Sequence, residues 1–221
     1  MALHFPLRRP RRATRAVALL ASISALGFAG LGITAPAASA SLLGSLLPSC
    51  SATNTSTPFA AWGDTKSYFL MPDGGFEAGA PAWIKTGTTI VSGNETSFVN
   101  ARTDTHSLAM PTLSLAVSPT VCVSMGDNTV RLFVKNSGVA NSVLHIEAYV
   151  QNPLTGLVLS TGFDIKGTSG STGWAPTNQL WIPNLLGGVL GTQRLTLAFS
   201  ARGAAATWNI DDVFVDPFKL R

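Results

Sequence analysis

Between residues 67 and 215 the apolar side chains fall at every second position over short stretches, and no helical period is sustained over ten residues. The stretches are 67–71, 82–85, 88–91, 107–110, 112–117, 120–125, 130–135, 143–150, 157–161, 163–166, 179–182, 194–200 and 206–215. Between them sit Pro72-Asp73-Gly74-Gly75, Gly126-Asp127-Asn128, Asn136-Ser137-Gly138, Asn152-Pro153 and the Gly/Ser/Thr run 167–173, which supply the backbone angles that turns require. About ten or more short strands at this spacing predict an all-β fold, a jelly-roll β-sandwich of two antiparallel sheets. Strand patterns resume after 167–173, so that run reads as a loop within one domain.

Alternation also sorts the faces. Val130, Leu132 and Val134 oppose Arg131, Phe133 and Lys135. Leu144, Ile146, Ala148 and Val150 oppose Val143, His145, Glu147 and Tyr149. Leu195, Leu197 and Phe199 oppose Arg194, Thr196 and Ser200, and Leu180 and Ile182 oppose Gln179 and Trp181. One set predicts a core, the other a polar face with embedded aromatics.

The first forty residues stand outside this pattern. Arg8, Arg9, Arg11, Arg12 and Arg15 precede an apolar run from 16 to 33, and Ala38-Ser39-Ala40 is a small-x-small signal. That order predicts a secretory signal peptide over 1–40, an arm over 41–57 and the sandwich over 58–221. A membrane anchor is the competing reading, but the run is Ala/Gly/Ser-rich and ends at a cleavage motif. The leader changes the charge argument. It holds five of the 15 Lys+Arg and none of the 11 Asp+Glu, so ten basic groups face eleven acids from 41 onwards, a net of −1. No basic patch remains to argue for nucleic acid, and no second apolar span follows.

Two cysteines, Cys50 and Cys122, lie in that exported portion, and export goes with disulfide formation. Closing so long a loop stabilises by about 4 kcal/mol on a chain-entropy argument. Leu47-Pro48-Ser49-Cys50 is also a loose lipoprotein box, which would acylate Cys50 instead, and free thiols are the third reading.

Asp73-Gly74-Gly75-Phe76-Glu77, with Gly79 and Trp83, resembles the opening of many carbohydrate-binding-module-like (galactose-binding-like) β-sandwiches, usually written Asn-Gly-x-Phe-Glu-x-Gly…Trp. Such domains close with a strand similar to Trp208-Asn209-Ile210-Asp211-Asp212-Val213-Phe214-Val215-Asp216. Most of 50–219 looks like a group of secreted actinobacterial proteins of unassigned function. The resemblance speaks for fold more than for activity. It implies that a Phe-Glu glutamate and a terminal-strand aspartate share a structural calcium, which maps onto Glu77 and Asp211 or Asp212. The alternative is that these acids bond backbone amides, Arg or Lys without a metal. Two adjacent acids in an apolar strand turn at least one carboxylate inwards unless a bulge re-aims it.

Catalytic motifs for serine hydrolases, zinc proteases, phosphate loops and dithiol redox centres are absent from the sequence. Glu147 is the one acid on the expected polar face, and glycoside hydrolysis requires a facing pair. The expected function is therefore binding. Trp181, Tyr149 and Phe133 would stack on sugar rings, with Arg131, His145, Glu147, Gln179 and Arg194 as hydrogen-bond partners. The partner would be a cell-wall or extracellular polysaccharide, and an adhesive or structural surface protein is the alternative.

Overall fold

The computed structural model describes residues 54–124, 129–170, 172–183 and 192–216. Among them, one 3-10 turn (Ala60–Trp62) precedes thirteen strands, and no α-helix occurs. In chain order the strands are β1 (Phe69–Leu70), β2 (Ile84–Thr86), β3 (Thr89–Ser92), β4 (His106–Pro111), β5 (Leu115–Val117) and β6 (Val121–Ser124). Then follow β7 (Thr129–Asn136), β8 (Ser142–Gln151), β9 (Val158–Lys166), β10 (Ala175–Pro176), β11 (Leu180–Trp181), β12 (Thr192–Gly203) and β13 (Thr207–Val215). The first sheet runs β10-β7-β13-β4-β3, with β1 added on β13 and β11 on β7. The second runs β2-β5-β12-β8-β9, with β6 added on β12. Every pairing is antiparallel, and the chain is a jelly-roll β-sandwich.

The long strands form where the alternation is cleanest. In β8, Leu144, Ile146, Ala148 and Val150 are fully buried, and in β12 Leu195, Leu197 and Phe199 are. The two pair continuously from Arg194↔Gln151 to Gly203↔Ser142, because one register keeps both apolar sets on the same side. Leu132, Val134, Leu108, Met110, Ile210 and Val213 from the first sheet complete that core. Two expected elements change. The stretches 157–161 and 163–166 form the single strand β9, with Gly162 inside it. In the stretch 112–117, Leu113 takes a left-handed backbone (φ 71°) and only Leu115–Val117 is strand.

The two ends of the domain meet. The Val213 N–H donates to Gly74 O at 3.0 Å and the Met71 N–H to Val213 O at 2.9 Å. A Cβ on Gly74 would lie 3.0 Å from Val213 O, so the close approach excludes a side chain. The Asp73 carboxylate accepts the N–H groups of Ala78 and Ala80, which explains an acid where the resembling motif has Asn. Phe76 then enters the core edge-on to Trp83, with ring centroids 5.1 Å apart, and the Trp83 indole N–H donates to Pro72 O at 3.0 Å. The turn is architecture.

The first sheet departs from the expected polar face. Phe59, Tyr68, Phe133 and Phe214 form a second apolar cluster on its outer side, beneath the segment that carries the 3-10 turn. Phe59 stacks on Phe133 at 5.7 Å and meets Tyr68 and Phe214 edge-on at 5.3 and 5.6 Å. Strand β7 is therefore buried on both faces, and its alternation marks two cores, not a core and a surface. Cys50 lies outside the described residues, and no described cysteine is free.

Candidate functional site

The outer face of the second sheet stays open. Register places Thr196, Tyr149 and Ser160 in one row across β12, β8 and β9. Ala198, Glu147 and Gly162 form the next row, and Ser200, His145 and Asp164 the one beyond. Arg194 continues the face beside Gln151. Ala198, Ser160 and Gly162 keep side chains short along this face, called the trough, where Tyr149, 43% exposed, stands beside charged side chains. His145 bridges two carboxylates, with Nδ1 2.6 Å from Asp164 Oδ1 and Nε2 3.1 Å from Glu147 Oε2. Gly162 makes this possible: a Cβ there would lie 2.8 Å from Glu147 Oε2 and 2.9 Å from His145 Cε1. The row Ser200, His145, Asp164 contains the residue types of a hydrolytic triad. Its geometry does not activate the serine, because His145 Nε2 faces Glu147 and Ser200 Oγ accepts from Arg202 Nε at 2.9 Å.

Trp181, Gln179 and Arg131 belong to the opposite sheet, so the expected single platform divides. Phe133 is 1% exposed and buried under Phe59 and Trp62, which removes it from any sugar-facing surface. Arg131 is also buried and serves as a fastener. Its Nε and Nη2 donate to Thr177 O at 2.9 and 2.7 Å, its Nη1 to Asp64 Oδ2 at 2.8 Å, and it lies over the Phe59 ring. Asp64 is the hub, since the Tyr68 hydroxyl and Gln179 Nε2 donate to the same oxygen at 2.8 and 2.9 Å. Burial works to raise the Asp64 pKa, but hydrogen bonds from Gln179, Arg131, Tyr68 and the Lys66 N–H outweigh it and hold it at about 2. Above this hub opens a pocket of about 460 Å³, bordered by Trp62 and Lys66, with the Lys66 ammonium 4.6 Å over the Trp181 ring. Trp62, Asp64 and Lys66 were invisible to periodicity, because they precede the first alternating stretch. Their one sequence signal is the aromatic pair Phe59 and Trp62 beside an isolated acid.

The third cluster lies where the two ends of the domain join. The register of β13 on β7 slips between Asp211 and Phe214, and Asp212 takes a left-handed backbone (φ 47°). The bulge leaves both carboxylates buried. Asp211 accepts the N–H groups of Glu95 and Asp212, each at 2.9 Å, and Glu77 accepts those of Thr105 and His106 at 2.8 and 2.7 Å. Two of the three residues mapped as calcium ligands are thus bonded to backbone amides. Asp212 is different: both its oxygens are buried without a well-formed hydrogen bond, although the Asn100 N–H tempers its charge. Burial, with the charges of Glu95 and Asp104, pushes its pKa up to about 8, and burial with the Asp212 charge does the same to Asp211. Gly75 keeps the space clear. A Cβ there would lie 3.0 Å from Asp212 Oδ1, 3.4 Å from Asn100 Nδ2 and 4.0 Å from Asp104 Oδ2. An orphaned carboxylate, a glycine cradle and neighbouring acids have the chemistry a hard cation requires. Among the described residues, however, no three such side chains converge as a ready-made cage.

No family model matches the sequence, and neither does any curated protein. Solved structures show a partial likeness. Family 16 carbohydrate-binding module-2 matches over 66% of this chain and 98% of its own, at 12% identity and a TM-score of 0.44. TmCBM61, in complex with β-1,4-galactotriose, matches over 67% and 97%, at 12% identity and a TM-score of 0.43. The arabinose-bound MgGH51 α-L-arabinofuranosidase matches over 67% of this chain but only 26% of its own, at 18% identity and a TM-score of 0.45. With identities of 12 to 18% and TM-scores below 0.5, these likenesses carry no argument about what this chain does. The structural neighbours of this chain include carbohydrate-binding modules of the β-sandwich type.

Proposed function

We propose that this chain is an exported, non-catalytic binding domain that holds polysaccharide along the open face of the second sheet. The observation that carries the reading is Tyr149, 43% exposed on that face, beside the Asp164–His145–Glu147 chain that fills the space over Gly162. A sugar ring would lay its C–H face on Tyr149, and its hydroxyls would bond the carboxylates and Arg194. Outside the cell the leader over 1–40 is removed and Cys50 pairs with Cys122. Asp212, with Asp104 and Asn100, would hold a structural cation that neutralises the buried acids and takes no part in sugar contact. A second reading, an adhesive protein without a sugar ligand, draws on the exposed apolar start of the edge strand β9, where Leu157, Val158 and Leu159 are 56%, 48% and 40% exposed.

Pull-down on insoluble cell-wall polysaccharides, with Tyr149→Ala and Glu147→Gln beside the parent, separates the two. Retention that falls about tenfold or more in Tyr149→Ala supports the sugar reading. Retention unchanged in both variants, or none in the parent, overturns it.

A further inference from the structure

The pocket above Asp64 lies on the outer side of the first sheet, away from the trough, and its chemistry differs. Its floor is rigid. Asp64, Arg131, Tyr68 and Gln179 hold one another through hydrogen bonds of 2.8 to 2.9 Å, so the polar groups there are preorganised. Its rim carries one indole, Trp62, 41% exposed, while Trp181 stands outside the lining and touches it only through Lys66. Its volume of about 460 Å³ sits within the range of small-ligand sites.

One group sets the charge preference. Lys66 Nζ is buried and makes no hydrogen bond, although an ammonium carries three donors. Its contacts are the Trp181 ring at 4.6 Å and an ion pair with Asp216 stretched to 3.7 Å. The acid nearest the pocket floor, Asp64, is already matched by Arg131. An incoming carboxylate would meet a neutralised floor, and Lys66, which lines the pocket, would have to swing its buried ammonium from Trp181 and Asp216 to spend its unused donors on it. A neutral ligand would leave the ammonium as it is.

We propose that this pocket is a second binding site, selective for a carboxylated sugar ring of the hexuronic type. The ring would stack on the indole rim, its hydroxyls would bond Gln179 and Asn178, and its carboxylate would draw in Lys66. The site is independent of the trough, so each can fail alone.

The test is intrinsic tryptophan fluorescence of the full chain, titrated with glucuronate, with an oligouronate and with glucose. Saturable change with both uronates and not with glucose is the expected result. Lys66→Gln should weaken uronate binding about tenfold, because a charge-assisted hydrogen bond is lost. Trp62→Ala should abolish it, and Tyr149→Ala should leave it intact. Equal response to glucose, affinity unchanged in Lys66→Gln, or no saturable signal with either uronate overturns the proposal.

Discussion

Asp212 shows how one residue's surroundings decide its chemistry. Asp211 and Asp212 are the same side chain one position apart, yet Asp211 accepts two backbone N–H groups and Asp212 accepts none with good geometry. A buried carboxylate without donors is destabilising unless it is protonated or meets a cation. In chelator at pH 7, Asp212→Asn should therefore raise stability, on the order of 3 kcal/mol from the removed pKa displacement. The same variant should lose any gain that calcium gives the parent. Denaturant unfolding with chelator and with calcium reads both effects, and an Asn variant weaker than the parent in chelator would show that the carboxylate is paired after all. From sequence, adjacency of the two acids was legible and so was the need to turn one inwards. Which one would be orphaned was not, because a bulge between Asp211 and Phe214 assigns it.

At the scale of elements, strand β7 is the instructive case. Its alternation predicts core against polar face, and both sides are buried, the outer one through Phe133 together with the hydrogen-bonded Arg131 and Thr129. Nothing within 130–135 distinguishes Phe133 on a sugar platform from Phe133 under another segment. The covering segment decides, and it is held by Phe59, whose ring contacts those of Phe133, Tyr68 and Phe214. Phe59→Ala should cost about 3 kcal/mol and expose Phe133. Hydrogen exchange should show the loss concentrated over β1 and the 3-10 turn, with β8 and β12 unaffected. Uniform loss across both sheets would mean that the second cluster is continuous with the main core. Strands β8 and β12 were legible nearly to their ends, because a strand with one wet face carries its pattern in its own residues. The trough of Tyr149, His145 and Glu147 inherits that legibility, whereas Asp164 and Gly162 became part of it only through pairing with β9.

For the whole molecule, stability against pH joins these clusters. The Asp64 pKa is lowered from 3.8 to about 2, so its contribution is complete above about pH 4 and is lost as pH falls through about 2. Asp211 and Asp212 are raised from 3.8 to about 8, so their contribution is complete below 3.8 and declines as pH rises through about 8. The metal-free protein should thus be most stable at about pH 3.5–4, at the crossing of the two limbs, because above it two acids lose what one no longer gains. Calcium should flatten the alkaline limb and leave the acidic one unchanged. Thermal unfolding from pH 2 to 9, with and without chelator, measures both, and a maximum near pH 7 in chelator would contradict the buried-acid account. By itself the sequence determined the all-β class and the short strands and their turns, because those depend on neighbours along the chain, whereas the junction of the 73–83 turn with the final strand was legible only through a family resemblance. Only the tertiary structure decided which polar residues share a surface, placing Tyr149 and Trp181 on opposite sheets and gathering Asp64, Arg131 and Gln179 at one point. Side-chain period tells a residue which way to face, but what it faces comes from segments far away in sequence.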